Sequence, residues 1–378
     1  MATRHTTRRG RQSRVVRYAV IGLGHIAQAA MLPAFAHARS NSRLTALVSG
    51  SPKKLKTLGN RYGVKRLLGY ADAEDLFAGG EIDAVYVAMP NDKHKEWAVR
   101  AARAGLHVLC EKPMAVTTQQ CDAMIRAAKE AKVKLMIAYR LHFEAANLFA
   151  QEQAHCGALG DLRFFSSDFS MQVRDHNIRL RGGKGGGPLY DIGIYCLNAA
   201  RASFREEPRA VLATATRSPD PRFRQIEESV SVVMRYPNEK LATFNCSFGG
   251  ADRSTYTITG TRGSVTLDPA YEYVEPISSV LRLGSKKRTR HFAKRDQFAA
   301  ELVYFSDCVL KDRAPEPDGE EGRIDIEIIE ALDRSIKTGR WVNIRRSRRT
   351  KRPGPSQEIR RPPVPREPAL VDVRPASR

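Results

Sequence analysis

The stretch "VVRYAVIGLGHIAQAA", Val15 to Ala30, decides the fold. An apolar run ends at Ile21, Gly22 and Gly24 follow, and a helix-forming stretch begins at His25. Strand, G-x-G-x-x-A turn and helix, in that order, form the context in which glycines let a pyrophosphate come close to a helix N-terminus. Without the strand before it and the helix after it, the same motif would be a plain tight turn. Pro33 should kink the helix that starts here.

Working outward, "LTALVSG" leads into "PKKLKTLGNRY", "IDAVYVAMP" into "KHKEWAVRAARAG" and "HVLCEKP" into "TQQCDAMIRAAKEA", with "KLMIAY" closing the series. Repeated β-α of this kind predicts an α/β Rossmann domain over residues 15–138, a doubly wound parallel sheet wrapped by helices. Beyond Tyr139 the rhythm changes. A helix over about 143–154 precedes strand-like runs such as "SVSVVMRYP", "KLATFNCSF", "STYTITG" and "GSVTLDP", interrupted from Gly182 to about Ala202. Helices near 296–311 and 322–338 finish the pattern. Residues 139–344 therefore read as an α+β domain with a large, open, mostly antiparallel sheet. Apolar residues fall on both faces of its first strands, which points to burial on both sides.

The net charge of +22 on 378 residues suggests a nucleic-acid binder until it is mapped. Residues 1–17 carry six arginines and no acid, and 345–378 carry eleven Lys/Arg against three acids, together +14. The two ends, 1–14 and 345–378, read as basic, solvated, disordered tails, because proline and charge leave nothing to bury. No basic patch interleaved with aromatics marks a dedicated nucleic-acid reader. No apolar run reaches the ~18 residues needed to span a bilayer. The six cysteines show neither a CxxC pair nor Cys/His metal spacing, so reduced thiols in a cytoplasmic protein, without a metal, are expected. The Arg8-Arg9 pair lacks the apolar segment that an export signal requires.

Cofactor choice rests on the second strand's end. An NAD-specific fold places Asp or Glu there to hold the ribose hydroxyls. Here "LVSGSPKK" offers Ser49, Gly50, Ser51, Lys53 and Lys54, and no acid precedes Asp72. Hydroxyl and ammonium groups suit a 2′-phosphate, which favours NADP over NAD. The other reading of the lysines is a solvated helix start.

Ligands in such sheets lie beyond the carboxyl ends of the strands. "VYVAMPND" delivers Met89, Pro90 and Asn91 there, with His94 one turn on, and "HVLCEKP" delivers Glu111 and Lys112. Asn91 and His94 could equally cap and pack the next helix. "GGGPLYDIGIY", Gly185 to Tyr195, then sets glycines before Asp191 and Tyr195, which share a polar stripe with Asn198 at helical spacing. Lys112 could meet this pair across the domain interface. A phenol titrates near ~10 unperturbed, and a nearby ammonium favours its ionised form. Transfer of a hydride from a carbinol needs such a proton acceptor and a group that orients the hydroxyl.

Together "GLGHIA", "ALVSG", "IDAVYVAMPNDKH", "CEKPMA", "LMIAYRLHFE", "RLRGGKGGGPLYDIGIYCLN" and "GEEGRIDIEIIEAL" resemble the Gfo/Idh/MocA oxidoreductases over about 15–344. Most of that family carries histidine where Tyr195 stands, and tyrosine after "GGGPLYDIG" resembles its glucose–fructose oxidoreductase subgroup. The resemblance implies that Lys112 and Tyr195 are the central catalytic pair, with Tyr195 the proton donor and acceptor, and that Asp191 orients a sugar. It implies an NADP site lined by Gly22, Leu23, Gly24, His25, Ile26, Ser49, Gly50, Lys54, Tyr70, Met89, Pro90, Asn91, His94, Glu111 and Lys112. Tyr139 and Arg140 would lie near the nicotinamide. Arg179 and Arg181 belong either to the substrate rim or to the plain surface. The family also implies a homodimer or homotetramer through the open sheet face. The activity so implied is oxidation of an aldose at C1 to its lactone, with a second sugar or NADP as acceptor. The competing readings are a dissociating dehydrogenase or reductase of a keto-sugar or cyclitol, and a non-catalytic NADP-binding scaffold.

Overall fold

The computed structural model describes residues 15–183, 185–345, 349, 351–366, 368–373 and 375. The tail expected over 1–14 lies outside them. Six parallel strands form the first sheet: β1 (Val16–Ile21), β2 (Ser42–Val48), β3 (Arg66–Leu68), β4 (Ala84–Val87), β5 (His107–Glu111) and β6 (Leu135–Ala138), in the order β3-β2-β1-β4-β5-β6. The order reverses between β1 and β4, which opens a crevice beyond their carboxyl ends. The connecting helices are α1 (Leu32–Ala34), α2 (Pro52–Tyr62), α3 (Ala73–Ala78), α4 (His94–Arg103) and α5 (Thr118–Glu130). A π turn, Ala27–Met31, leads into α1, so the helix widens before Pro33, whose missing N–H cannot continue an ordinary ladder.

The second half begins with α6 (Ala145–His155) and β7 (Leu162–Ser170), and α7 (Ile194–Phe204) interrupts the strands as expected. Then come β8 (Ala210–Thr216), β9 (Ser229–Arg235), β10 (Leu241–Ser247), β11 (Arg253–Gly260), β12 (Gly263–Leu267), β13 (Ile277–Leu283) and β14 (Lys286–Phe292). The helices α8 (Gln297–Leu310) and α9 (Gly319–Thr338) and the short β15 (Val342–Asn343) follow. The second sheet runs β14-β13-β12-β11-β7-β10-β9-β8-β15; β7 and β10 pair in parallel and the other neighbours antiparallel.

Period-two alternation splits the first sheet's side chains between two cores. Tyr18 and Val20 face the helix that follows the glycine turn, together with Phe298, Leu302 and Phe305 of α8. Ala19 and Ile21 face the opposite core, which continues without a break to Phe165, Val232 and Phe244 of the second sheet. The helix α8, assigned from the sequence to the second half, thus packs on the first sheet, where Tyr18 and Ser306 share a hydrogen bond of 2.7 Å.

The second sheet's outer face carries apolar residues, as read from the sequence, but is not uniformly apolar. Val230, Val232 and Met234 point inward, while Ser231 and Arg235 point out with Val233 between them, and Phe164 and Leu241 are exposed. On the same face Ser231 donates to Asn245, and Asn245 to Asp168.

One expectation is corrected: the described part of 345–378 is not a solvated tail. Arg349 pairs with Glu321 at 2.6 Å and Glu316 at 3.4 Å, and Arg352 with Glu207 at 2.6 Å, all in nearly buried positions. Inside, Glu207, Glu321 and Asp325 surround Arg201, which is fully buried, and Glu316 lies 3.0 Å from His142. One arginine cannot neutralise so many buried carboxylates, and Arg349 and Arg352 make up the deficit.

Candidate active site

The glycine turn is shaped for close approach. Gly22 has φ +90°, and a Cβ there would lie 2.6 Å from the Ala88 carbonyl oxygen, so no other residue fits. A Cβ on Gly24 would meet nothing within 4 Å. Beneath it Leu23 is buried, while Gly24, His25 and Ile26 are partly open at the helix entry. That open cradle at the crevice mouth fits the pyrophosphate of a dinucleotide.

At the end of β2 the Ser49 hydroxyl accepts from Ser51 N at 3.2 Å, and Ser51 caps α2 by accepting from Lys54 N at 3.3 Å. Gly50 lies against the Tyr70 ring, which a Cβ would approach to 3.1 Å. Burial raises the Tyr70 pKa, partly offset by hydrogen bonds to Gly50 and Ser49. The surface offered to an adenosine ribose carries hydroxyls and lysines and no strand-end carboxylate, which fits a phosphate-bearing ribose.

The ends of β4 and β5 are tied together. His94 is buried, with Nδ1 2.8 Å from the Pro113 carbonyl and Nε2 2.8 Å from the Met89 carbonyl. Burial and the Lys112 charge depress its pKa, so the ring is neutral and donates to one carbonyl at a time. His94 thereby braces the two strand ends. Asn91, just past Pro90, donates to the Gly185 carbonyl at 2.7 Å and so holds the glycine-rich segment of the second half against the crevice. Gly185 is required there: its φ is +70°, and a Cβ would sit 2.5 Å from Val116 Cγ1.

Beyond β5, Glu111 is buried and accepts from the Tyr86 hydroxyl and from Lys112 N. The Lys112 ammonium donates to the Asp191 backbone carbonyl at 2.7 Å and to Asp191 Oδ1 at 3.4 Å. It also lies 4.6 Å from the centroid of the Tyr195 ring. Arg140 stands 5.1 Å from that centroid, held by Tyr271, Gln297 and Glu272. Phe169 and Tyr271 flank the phenol at 5.8 and 6.0 Å between centroids. Arg179 is partly buried, and its Nε donates to Asp191 Oδ2 at 2.6 Å.

Electrostatics follow from this packing. Burial works against the Lys112 ammonium, but Tyr195, Asp191 and Glu111 outweigh it and raise its pKa. Burial likewise opposes the Asp191 carboxylate, yet Arg179 and Lys112 hold its pKa below the usual range. The set is a charged lysine and an ionised aspartate bracketing a partly buried phenol. Such a set can move a proton at a substrate hydroxyl and orient that hydroxyl.

Two residues point elsewhere than expected. Tyr139 does not face the crevice; its hydroxyl donates to Asp325 at 2.6 Å inside the acid cluster. Asn198 points the same way, donating to Glu321 and Asp325. The cause is a π turn at Leu189–Gly193, which breaks the helical spacing between Asp191 and the residues after it. Arg181 is exposed, as both the substrate-rim and the surface reading require. Sequence reading also missed Glu301, fully buried on α8, whose carboxyl burial keeps protonated. An acid in the middle of a helical stretch gives no sequence signal of its depth. Among the described residues, no group of three or more His, Cys, Asp or Glu could hold a metal, and no helix is long and apolar enough to cross a membrane.

The doubly wound sheet, its glycine cradle and the Lys-Asp-Tyr set beside it define a dinucleotide-dependent oxidoreductase by class. The chain belongs to the Gfo/Idh/MocA family: residues 16–139 match its oxidoreductase domain with an NAD-binding Rossmann fold, and 148–266 its C-terminal domain. The crystal structure of aldose-aldose oxidoreductase from Caulobacter crescentus, complexed with glycerol, is 39% identical, covers 88% of this chain and 100% of that one, and superposes with a TM-score of 0.84. An uncharacterized oxidoreductase of Rhizobium meliloti is 30% identical over 87% of this chain and 99% of its own length. The NADP-dependent D-xylose 1-dehydrogenase of Haloarcula marismortui is 30% identical over 87% of this chain and 93% of its own.

Proposed function

We propose that the protein is an NADP-dependent sugar oxidoreductase that oxidises an aldose at C1 to its lactone and delivers the hydride to a second sugar or to free NADP. The observation that carries this reading is the meeting of Lys112 with both Asp191 and Tyr195. Similarity to an aldose-aldose oxidoreductase and to an NADP-dependent xylose dehydrogenase supports an aldose as substrate. The serines and lysines after β2 support NADP.

A bound nicotinamide supplies the two-electron acceptor at its C4. Tyr195 takes the proton of the C1 hydroxyl as the carbonyl forms, and returns one to the carbonyl oxygen of the second sugar in the reverse half-reaction. Lys112 stays charged and stabilises the negative charge that passes between phenol and substrate oxygens. Asp191 keeps acceptor capacity beyond its bonds to Lys112 and Arg179, and orients the sugar with it. Arg140 lies beside the phenol and adds positive charge there, and the aromatic walls exclude water.

Self-association through the outer face of the second sheet belongs to the same reading. Phe164 and Leu241 pair across β7 and β10 on that face and are 48% and 43% exposed. A cytoplasmic location fits six unpaired cysteines, five of them buried.

A dissociating dehydrogenase is the second reading, favoured by the resemblance to xylose dehydrogenases. Mass spectrometry of the co-purified nucleotide, followed by a sugar panel with and without added NADP, separates the two. Tightly held NADP(H) and lactone formation from glucose plus fructose, or from a pair of aldoses, without added nucleotide support the first. Strict dependence on added nucleotide supports the second. No turnover of any sugar in either format contradicts both.

A further inference from the structure

The chain after β15 does more than anchor Arg349 and Arg352. Gln357 donates to Glu316, Val364 lines one cavity with Ala29 and Ala30, and the segment then reaches the helix that follows the glycine turn. There Val371 and Gln28 exchange two hydrogen bonds, Val371 N to Gln28 Oε1 at 2.8 Å and Gln28 Nε2 to the Val371 carbonyl at 3.1 Å. Gln28 is fully buried and also donates to the Leu23 carbonyl in the glycine turn. Arg61 of α2 donates to the Ala369 carbonyl at 2.7 Å. These bonds fix where the next residue falls. Asp372 lies with Oδ1 2.8 Å from Lys53 Nζ.

Lys53 belongs to the strand-end group that suits a 2′-phosphate, and no acid on β2 counters it. We propose that Asp372, delivered by the C-terminal strap, is a specificity-determining residue for the cofactor: it holds Lys53 and opposes a 2′-phosphate. This rests on the nucleotide reading above and adds a residue from outside the first sheet. The pair is open to solvent, 71% exposed at Lys53 and 44% at Asp372, so its own bond contributes little to stability. Its effect is on the ligand. A dianionic phosphate must displace the carboxylate from Lys53 or sit beside it, whereas a ribose without the phosphate meets no such competition.

The test is titration of the purified full chain, Asp372→Asn and a chain ending at Pro368 with NADP+ and NAD+, followed by intrinsic fluorescence and independent of turnover. Both variants should bind NADP+ about three- to tenfold more tightly than the wild type, with NAD+ changed less than twofold, and the gain should shrink as salt screens the charges. Asp372→Asn is isosteric and keeps the Val371 bonds, so it answers even if the truncation is unstable. An unchanged or weakened NADP+ affinity in Asp372→Asn, or a change confined to NAD+, overturns the proposal while leaving the nucleotide reading intact. A wild type that binds neither nucleotide overturns that reading, and the proposal with it.

Discussion

Arg179 Nε donates to Asp191 Oδ2 at 2.6 Å, while Lys112 holds the other oxygen of the same carboxylate at 3.4 Å. A residue of the glycine-rich segment and a residue of the first sheet thus share one anion, and the domain interface closes around it. Two partly buried cations share one carboxylate, so removing it is costly.

Asp191→Asn should destabilise the protein by about 1–3 kcal/mol, since it leaves two partly buried cations without their carboxylate. The Asp191 carboxylate has a depressed pKa, so its contribution is present above the unfolded carboxylate value and lost as pH falls through the folded one. Denaturant unfolding at neutral pH and near pH 3 checks both. The variant's deficit should be clear at neutral pH and shrink in acid.

Gly185→Val should weaken substrate turnover more than it weakens the fold. Its φ and the 2.5 Å approach to Val116 force the glycine segment away from Asn91, a local strain of about 1–3 kcal/mol. Steady-state kinetics should show kcat/KM down by about tenfold or more with the thermal midpoint nearly kept.

Removing 345–378 should lower the thermal midpoint by several degrees and make the protein acid-sensitive. Burial works against the Glu316 carboxylate, but His142, Gln357 and Arg349 outweigh it and bring its pKa down to about 2. That depression contributes on the order of 3 kcal/mol above the unfolded value, lost as pH falls toward the folded one. The truncated chain lacks Gln357 and Arg349, so its acid unfolding should begin at higher pH. Circular dichroism across an acid titration of both chains measures the difference.

What the sequence made legible was local. The Gly22 turn, the β-α alternation and the lysine after β5 are each set by a few neighbouring residues, and the structure has them where the pattern put them. Asn198 and Tyr139 were misread because their direction depends on a π turn and on a buried acid cluster assembled from distant segments. The strap was misread for a related reason. Composition shows that "RRSRRTKRPGP" is charged and proline-rich, but not that Glu207, Glu316 and Glu321 form an interior site for Arg349 and Arg352. The strand pattern of "SVSVVMRY" carried the right period, with Val230, Val232 and Met234 inward and Val233 outward between Ser231 and Arg235.

The central claim is that Tyr195, beside Lys112, carries the proton while the hydride moves. Single-turnover reduction of bound NADP+ by an aldose, followed by nicotinamide absorbance in wild type and Tyr195→Phe, tests it most directly. The account predicts a fall of about 10²- to 10⁴-fold in that rate, with nucleotide affinity kept within twofold. Reduction at the wild-type rate in Tyr195→Phe would contradict it.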